Sequence, residues 1–344
     1  MPRTWNATQV TTLASRHPDW FGLPRHHGPL PPVVAHLADG ESYAAWTARV
    51  AGAPRPVVVI RAARRARGEL PADPEEEFTG LSLAPTGLAP EPIALIQHPE
   101  GGEQREAGGA AYPIIVEALA PGRVLPAAQW TPRHREWLAQ VLARLHEPTW
   151  PGPGAVTTRA DNPPRPIRFD EHIAGVTAHW GRLLPHGETG FGALANAMAA
   201  YAAQVTPQIA AVSRFALLHG DPVLTNILVA AERVTLVDWE WTQVGDPARD
   251  LGFLGGAIHA DPWYAPLADT DIDGFLGAYL DAGGRGDVDG LRRRRDAWLA
   301  AEAFGVLGYL LWLAADPEQS ALPRHRRGAV ELARTLTAFL QPWA

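Results

Sequence analysis

The run His219-Gly220-Asp221-Pro222-Val223-Leu224-Thr225-Asn226, followed twelve residues after the asparagine by Asp238-Trp239-Glu240, constrains this chain more than any other feature. Its flanks supply the structural setting. Phe215-Ala216-Leu217-Leu218 is an apolar run of strand length, and Ile227–Ala230 and Arg233–Val237 read as two strands joined by an Ala231-Glu232 turn. Asp221 and Asn226 are therefore expected on a loop entering a hairpin, with Asp238 where the second strand ends. Such a layout gathers two carboxylates and an amide on a rigid scaffold. Each residue is ordinary by itself, since Gly-Asp-Pro turns and lone histidines are common. The constraint lies in their spacing on one strand–loop–hairpin unit.

That spacing suits phosphoryl transfer from ATP. There, one Asp orients the acceptor hydroxyl, while an Asn five residues later and an Asp beyond a hairpin hold Mg²⁺. Asp221, Asn226 and Asp238 fill those places in order, and hard oxygen ligands suit Mg²⁺. Gly220 stands where protein kinases carry Arg. With that change, and with Gly245-Asp246-Pro247-Ala248-Arg249-Asp250-Leu251 downstream, the segment resembles the aminoglycoside phosphotransferase and choline kinase superfamily. The resemblance is strongest over residues 215–254 and continues back to about residue 33.

The resemblance implies an α+β, bilobal protein-kinase-like fold. A small antiparallel-sheet N-lobe would take residues 1–117 and a larger, mainly helical C-lobe residues 118–344. It further implies ATP (or GTP) as donor, Mg²⁺ as cofactor and a small-molecule alcohol as acceptor, an aminoglycoside- or macrolide-like antibiotic or related natural product. The alternatives are a housekeeping kinase of a choline-, homoserine- or thiamine-like alcohol and, from another class, a catalytically inactive nucleotide-binding module. Protein acceptors are not expected, because the Arg of the protein-kinase loop and the usual activation segment are missing. The superfamily often has His-Pro-Gly between the Asp and the Asn. Here Pro222–Thr225 brings no basic group, which puts extra weight on Mg²⁺ and on a phosphate-binding residue elsewhere.

Length and composition agree with this class. A chain of 344 residues suggests two lobes, and 46% hydrophobic with 19% charged residues describes a folding sequence. A net charge of −7 gives no basic field to attract nucleic acid or anionic membrane, so neither is expected as a partner. There are no cysteines, which excludes disulfides and thiolate metal sites. The N-terminus lacks the apolar run of a signal peptide, and Phe304–Ala315 is too short to span a bilayer. A cytoplasmic location is the expectation. The chain also contains no lysine, so no classical P-loop can form and the kinase phosphate anchor must be replaced.

Arg61 is the candidate for that anchor. Val33–Leu37, Trp46–Val50 and Val57–Arg61 read as an antiparallel meander with Arg61 closing its third strand. In the superfamily this position carries the phosphate-binding Lys or Arg, and a guanidinium can grip two phosphate oxygens at once. The resemblance gives Arg61 a Glu partner on the next helix, whose first turn after Pro74 offers Glu75, Glu76 and Glu77. Glu77 is chosen over Glu76 because it puts Leu81 at i+4. The first turn, with Gly40 and Ser42, would lie over the phosphates. Pro113–Gly122 resembles the inter-lobe hinge, where the Glu117 carbonyl and Leu119 amide would meet adenine and Val116 would line its pocket.

Helical periodicity takes over beyond Trp130. Trp137, Leu138, Val141, Leu142 and Leu145 form one stripe, ended by His146 as a cap. Residues 170–184 and 192–211 read as a helix pair that, by resemblance, packs over the acceptor. Asp250 would brace the catalytic loop by accepting its backbone N–H groups. Together with Asp246, His219 and Glu240 it is assigned a supporting role. Asp271 and Asp273 read as acids at a helix start, and Arg292–Arg295 as a solvated helix face.

Overall fold

The structure, a computed structural model, describes residues 4–25, 31–97, 111–184, 189–315 and 323–344. The chain divides into two compact units, Met1–Pro121 with Val237–Thr242, and Gly122–Leu236 with Gln243–Ala344. The division thus falls at Pro121/Gly122 rather than after residue 117. The stretch carrying Asp238 belongs to the first unit, although the hairpin leading into it belongs to the second.

The first unit contains α1 (Ala7–Ser15), β1 (Val33–Asp39), β2 (Tyr43–Arg49), β3 (Val57–Ala63), α2 (Pro74–Leu83), β4 (Pro92–Ile96) and β5 (Ile114–Ala118). The five strands form an antiparallel sheet in the order β1-β2-β3-β5-β4. The β-branched run Val57–Ile60 suits an interior strand, and its side chains alternate between the two faces. Val58, Ile60 and Ala62 face a core built with Ala44, Trp46, Ala48, Ile114 and Val116, covered by Val10, Leu13 and Ala14 of α1. Asn6 caps α1 by accepting from the Gln9 N–H, while the Gln9 side chain accepts from the Asn6 N–H.

Alternation sends Arg61 to the opposite face. The register Ala45↔Arg61↔Ile115 and Thr47↔Val59↔Glu117 places Arg61 and Glu117 as diagonal neighbours on that face. Asp73 caps α2 by accepting from the Glu75 N–H, and Pro74 opens it. A Cβ at Gly80 would lie 2.5 Å from Thr242 Oγ1, so glycine lets α2 approach the Val237–Thr242 stretch closely.

The second unit holds β6 (Arg123–Val124), α3 (Pro132–Leu145), β7 (Thr149–Trp150), α4 (Phe169–Leu183), α5 (Thr189–Ala210), β8 (Phe215–Leu218), β9 (Ile227–Ala230), β10 (Arg233–Leu236), β11 (Gln243–Gly245), α6 (Ala248–Gly252), α7 (Asp269–Asp281), α8 (Val288–Ala315) and α9 (Pro323–Leu340). Two small antiparallel sheets, β10-β9-β6 and β11-β8-β7, frame the catalytic-loop segment. Helices pack around them, α3 with α7, α4 with α5, and α8 with α4 to α7 and α9.

One sequence expectation is corrected in this unit. Arg292–Arg295 is not a solvated face. Arg295 is 1% exposed and donates to the Leu251 and Gly255 carbonyls and to Asp296, Arg294 donates to Asp246, and Arg292 pairs with Asp269 and Asp273. The helix that carries this turn, α8, runs for 28 residues and is long and apolar enough to cross a bilayer by length and composition. Much of it is nonetheless buried against its neighbours, from Leu291 to Leu313.

Candidate active site

In the first unit Arg61 sits in a cage of acids. It is buried, forms ion pairs with Glu77 and, at 2.5 Å, with Asp238 Oδ1, and lies over the Tyr43 ring with its guanidinium carbon 4.7 Å from the ring centroid. Glu77, 1% exposed, is therefore the α2 partner, while Glu76 is only half-buried. Glu117 adds a third carboxylate through its side chain, a contribution that reading Pro113–Gly122 for its backbone alone had missed. A Glu within the apolar strand Ile114-Ile115-Val116-Glu117-Ala118, on the Arg61 face by alternation, was the available signal.

The electrostatics follow from four carboxylates sharing one cation. Burial pushes the Glu77 carboxyl up to about 7, with Arg61 opposing and Asp238 and Glu117 reinforcing. Burial and then Asp238 likewise raise Glu117 to about 7 against the pull of Arg61. Glu240 is raised to about 7 by burial and by Asp238, although it accepts a hydrogen bond from Ser42. Burial alone would lower the Arg61 guanidinium, but Glu77 and Asp238 outweigh it and hold it well above its ordinary value. Tyr43 is raised by burial and by Glu77.

The Asp238 side chain stays 43% exposed, and its backbone takes the left-handed conformation, φ 66°, which Asp tolerates better than most residues. Trp239, fully buried, anchors the stretch. Among the turn residues, the Gly40 carbonyl accepts from Arg64, and Ser42 is buried with its hydroxyl engaged by Glu240. Val116 is a core residue and Glu117 an interior-strand residue, β5 lying between β3 and β4. Leu119 is 46% exposed and borders a recess of about 550 Å³ with Ala118, Val57 and Glu91.

In the second unit the loop after β8 carries His219, Gly220 and Asp221. Gly220 has φ 86°, a conformation closed to most side chains, which accounts for glycine at this place. Asp250 holds the turn: its Oδ2 accepts from the His219 N–H at 2.8 Å and its Oδ1 from the Gly220 N–H at 3.0 Å. His146 Nε2 lies 3.3 Å from the same Oδ2, and His146 Nδ1 lies 3.1 Å from Tyr279 Oη. His146 thus both caps α3 and joins this network. Burial alone would raise the Asp250 carboxyl, but hydrogen bonds from His146 and from the His219 N–H hold it below its ordinary value.

Asp221 and Asn226 stand together at the mouth of the β9–β10 hairpin. Asn226 Nδ2 donates to the Asp221 carbonyl at 3.0 Å and to its Oδ2 at 2.9 Å. The Asn226 amide oxygen is consequently the atom left to face a cation. His219 is fully buried, and its Nδ1 accepts from the Asp221 N–H at 3.3 Å. The Leu224 N–H donates to the Trp263 carbonyl at 3.0 Å, a second anchor for the loop. Asp246 is buried and accepts from the Ala248 N–H, Arg294 Nε and Trp298 Nε1, which gives it a supporting role. Asp269, Asp271 and Asp273 are taken up by Arg292 and Arg135.

A sequence model described as the phosphotransferase enzyme family matches residues 34–296. The chain belongs to this family. A search of curated proteins gave no match. Among solved structures, the ethanolamine kinase of Plasmodium vivax is similar at TM-score 0.63 and 13% identity, covering 91% of this chain and 83% of that one. A thermostable mutant of aminoglycoside phosphotransferase APH(4)-Ia, in a ternary complex with AMP-PNP and hygromycin B, is similar at TM-score 0.62 and 15% identity, covering 98% and 99%. Spectinomycin phosphotransferase APH(9)-Ia, in complex with ADP and spectinomycin, is similar at 0.59 and 17%, covering 97% and 99%. The α+β, kinase-like fold inferred from the sequence is therefore the fold of this family member, and the protein is a small-molecule phosphotransferase.

Proposed function

We propose that this phosphotransferase moves the γ-phosphate of ATP to a hydroxyl of an aminoglycoside- or macrolide-like antibiotic or related natural product, in the cytoplasm. The observation that carries the reading is the Asp221–Asn226 pair, presented on a turn that Asp250 fastens through two backbone N–H groups. Asp221 orients the acceptor hydroxyl. The hydroxyl oxygen bonds to the γ-phosphorus as the bond from that phosphorus to the β-bridging oxygen breaks. The hydroxyl proton passes late to the Asp221 carboxylate, and ADP leaves with the bonding pair.

Arg61, oriented by Glu77, grips phosphate oxygens. The Asn226 amide oxygen and the exposed Asp238 carboxylate are the residues that would hold Mg²⁺, and both are hard oxygen donors of the kind that cation prefers. Among the described residues no group of three or more His, Cys, Asp or Glu forms a ready-made metal cage. When bound, Mg²⁺ supplies neutralisation of charge on the transferring phosphate.

A coupled ADP-release screen over aminoglycosides, macrolides, nucleosides and small amino alcohols tests the reading. Turnover with an antibiotic supports it, turnover confined to a choline-like amino alcohol moves the protein into primary metabolism, and no turnover with any alcohol removes the enzymatic reading of Asp221.

A further inference from the structure

The second unit holds a cavity of about 290 Å³ bordered by residues 208–214, residues 283–286 and α8. Its charged lining is lopsided: three cations, Arg214, Arg285 (whose Nη2 also donates to the Glu147 carbonyl at 3.1 Å) and Arg294, stand against a single carboxylate, Asp246. That carboxylate is already satisfied by Arg294 Nε at 3.0 Å, Trp298 Nε1 at 3.3 Å and the Ala248 N–H at 3.1 Å. Arg214 and Arg285 are exposed, on different elements. A cavity with such an excess of guanidinium runs against the net charge of −7 carried by the chain. Guanidinium groups on separate elements around one cavity suit a tetrahedral dianion, each able to give paired N–H donors to two of its oxygens. The volume is that of a small-metabolite pocket, and Val212 and Pro247 in its wall give room for a short organic group.

The same lining contains the start of a hydrogen-bond relay. The Arg285 N–H donates to Tyr279 Oη, which lies 3.1 Å from His146 Nδ1. His146 Nε2 lies 3.3 Å from Asp250 Oδ2, and Asp250 accepts from the N–H groups of His219 and Gly220. Asp250, holding its proton weakly, only accepts, so His146 carries its hydrogen on Nε2 and takes the Tyr279 hydroxyl proton at Nδ1. The relay is therefore oriented throughout, from the wall of the cavity to the turn that presents Asp221.

We propose that this cavity is a binding site for inorganic phosphate or a small phosphomonoester, and that its occupancy is transmitted through Tyr279, His146 and Asp250 to the catalytic loop. The binding half stands alone; the regulatory half rests on the reading of Asp221 given above. A dianion held by Arg285 fixes the 283–286 loop, and with it the N–H that orients Tyr279. The equilibrium between tighter and looser settings of the His219–Gly220 turn shifts accordingly.

Calorimetric titration of the full chain with inorganic phosphate, and separately with glycerol 2-phosphate, tests the site. One saturable event is expected, weakened about tenfold by Arg214→Gln or by Arg285→Gln. It should survive Arg61→Ala and persist with saturating MgATP, which does not compete for the cavity. Tighter binding of the ester would point to a phosphorylated metabolite, equal binding to the free ion. No saturable heat, displacement by MgATP, or binding unchanged in both Arg variants would overturn the site. Hydrogen exchange tests the transmission: phosphate should slow exchange of the His219 and Gly220 amides in the wild type. Tyr279→Phe should still bind phosphate and lose that protection. Bound phosphate without protection in the wild type would overturn the transmission. Neither readout needs turnover, so failure of this site and failure of the enzymatic reading are told apart.

Discussion

The carboxylates around Arg61 and the carboxylate of Asp250 are both buried, yet their protons are driven in opposite directions. In the first unit four acids share one guanidinium, and Glu77, Glu117 and Glu240 rise to about 7 because burial and one another's charge exceed what Arg61 returns. In the second unit one acid collects the His219 and Gly220 N–H groups and His146, and its carboxyl falls. Burial is common to both regions; the ratio of donors to charge is what differs. A carboxylate saturated with donors is a structural brace. A cage with more acid than cation is unfinished, and an incoming cation would complete it.

Asp250→Ala should have the largest effect on folding. Removing it strands two buried N–H groups and His146, at a cost of ~3 kcal/mol, read as a lowered denaturation midpoint. Glu117→Gln, equally buried, should leave stability unchanged or raise it, because it removes surplus charge. Equal destabilisation by both changes would break the comparison.

Asp238→Ala should weaken MgATP binding well beyond tenfold by calorimetry, since on the proposed mechanism it deletes a metal ligand and leaves phosphate charge uncompensated. Unchanged affinity would take Asp238 out of the metal site. Arg61 sharpens the comparison at smaller scale. Lys in its place keeps the charge and loses the fork, so the Michaelis constant for ATP should rise roughly tenfold, about 1.4 kcal/mol, with Arg61→Ala worse. Wild-type ATP kinetics in both variants would place the phosphate clamp elsewhere.

The smallest effect is in pH dependence. A carboxyl raised in the folded state makes its stabilising contribution below its unfolded value and loses it as pH rises through the folded value. The metal-free protein should therefore lose stability between roughly pH 4.5 and 7, and Glu117→Gln should flatten that slope. Asp250, depressed when folded, contributes above its unfolded value and loses that contribution as pH falls through the folded one. Asp250→Asn should flatten only the acid limb. Identical flattening by both variants would contradict the opposite shifts.

Much of this was legible in the residues. The strand–loop–hairpin around Asp221 and Asn226, the meander that carries Arg61, though its third strand runs on to Ala63, and the Pro74 start of α2 rest on local pattern, which sequence displays directly. The contribution of the Glu117 side chain needed strand register, and Tyr43 needed to be placed over Arg61, which is tertiary information. Arg292–Arg295 misled because a charge run usually lies in water; Asp269, Asp273, Asp246 and the Leu251 carbonyl, distant in sequence, draw three of the four inward. His146 looked like a plain cap because its partners lie more than a hundred residues away.

The central claim, that Asp221 directs transfer of the γ-phosphate to an alcohol, is tested most directly by following phosphate on an acceptor from the screen with ³¹P NMR. Wild type and Asp221→Asn would be compared, with MgATP affinity measured in parallel. The account predicts a phosphomonoester from the wild type and transfer slowed about a thousandfold in Asp221→Asn, with MgATP affinity kept within a few-fold. Transfer by Asp221→Asn at near the wild-type rate would contradict it.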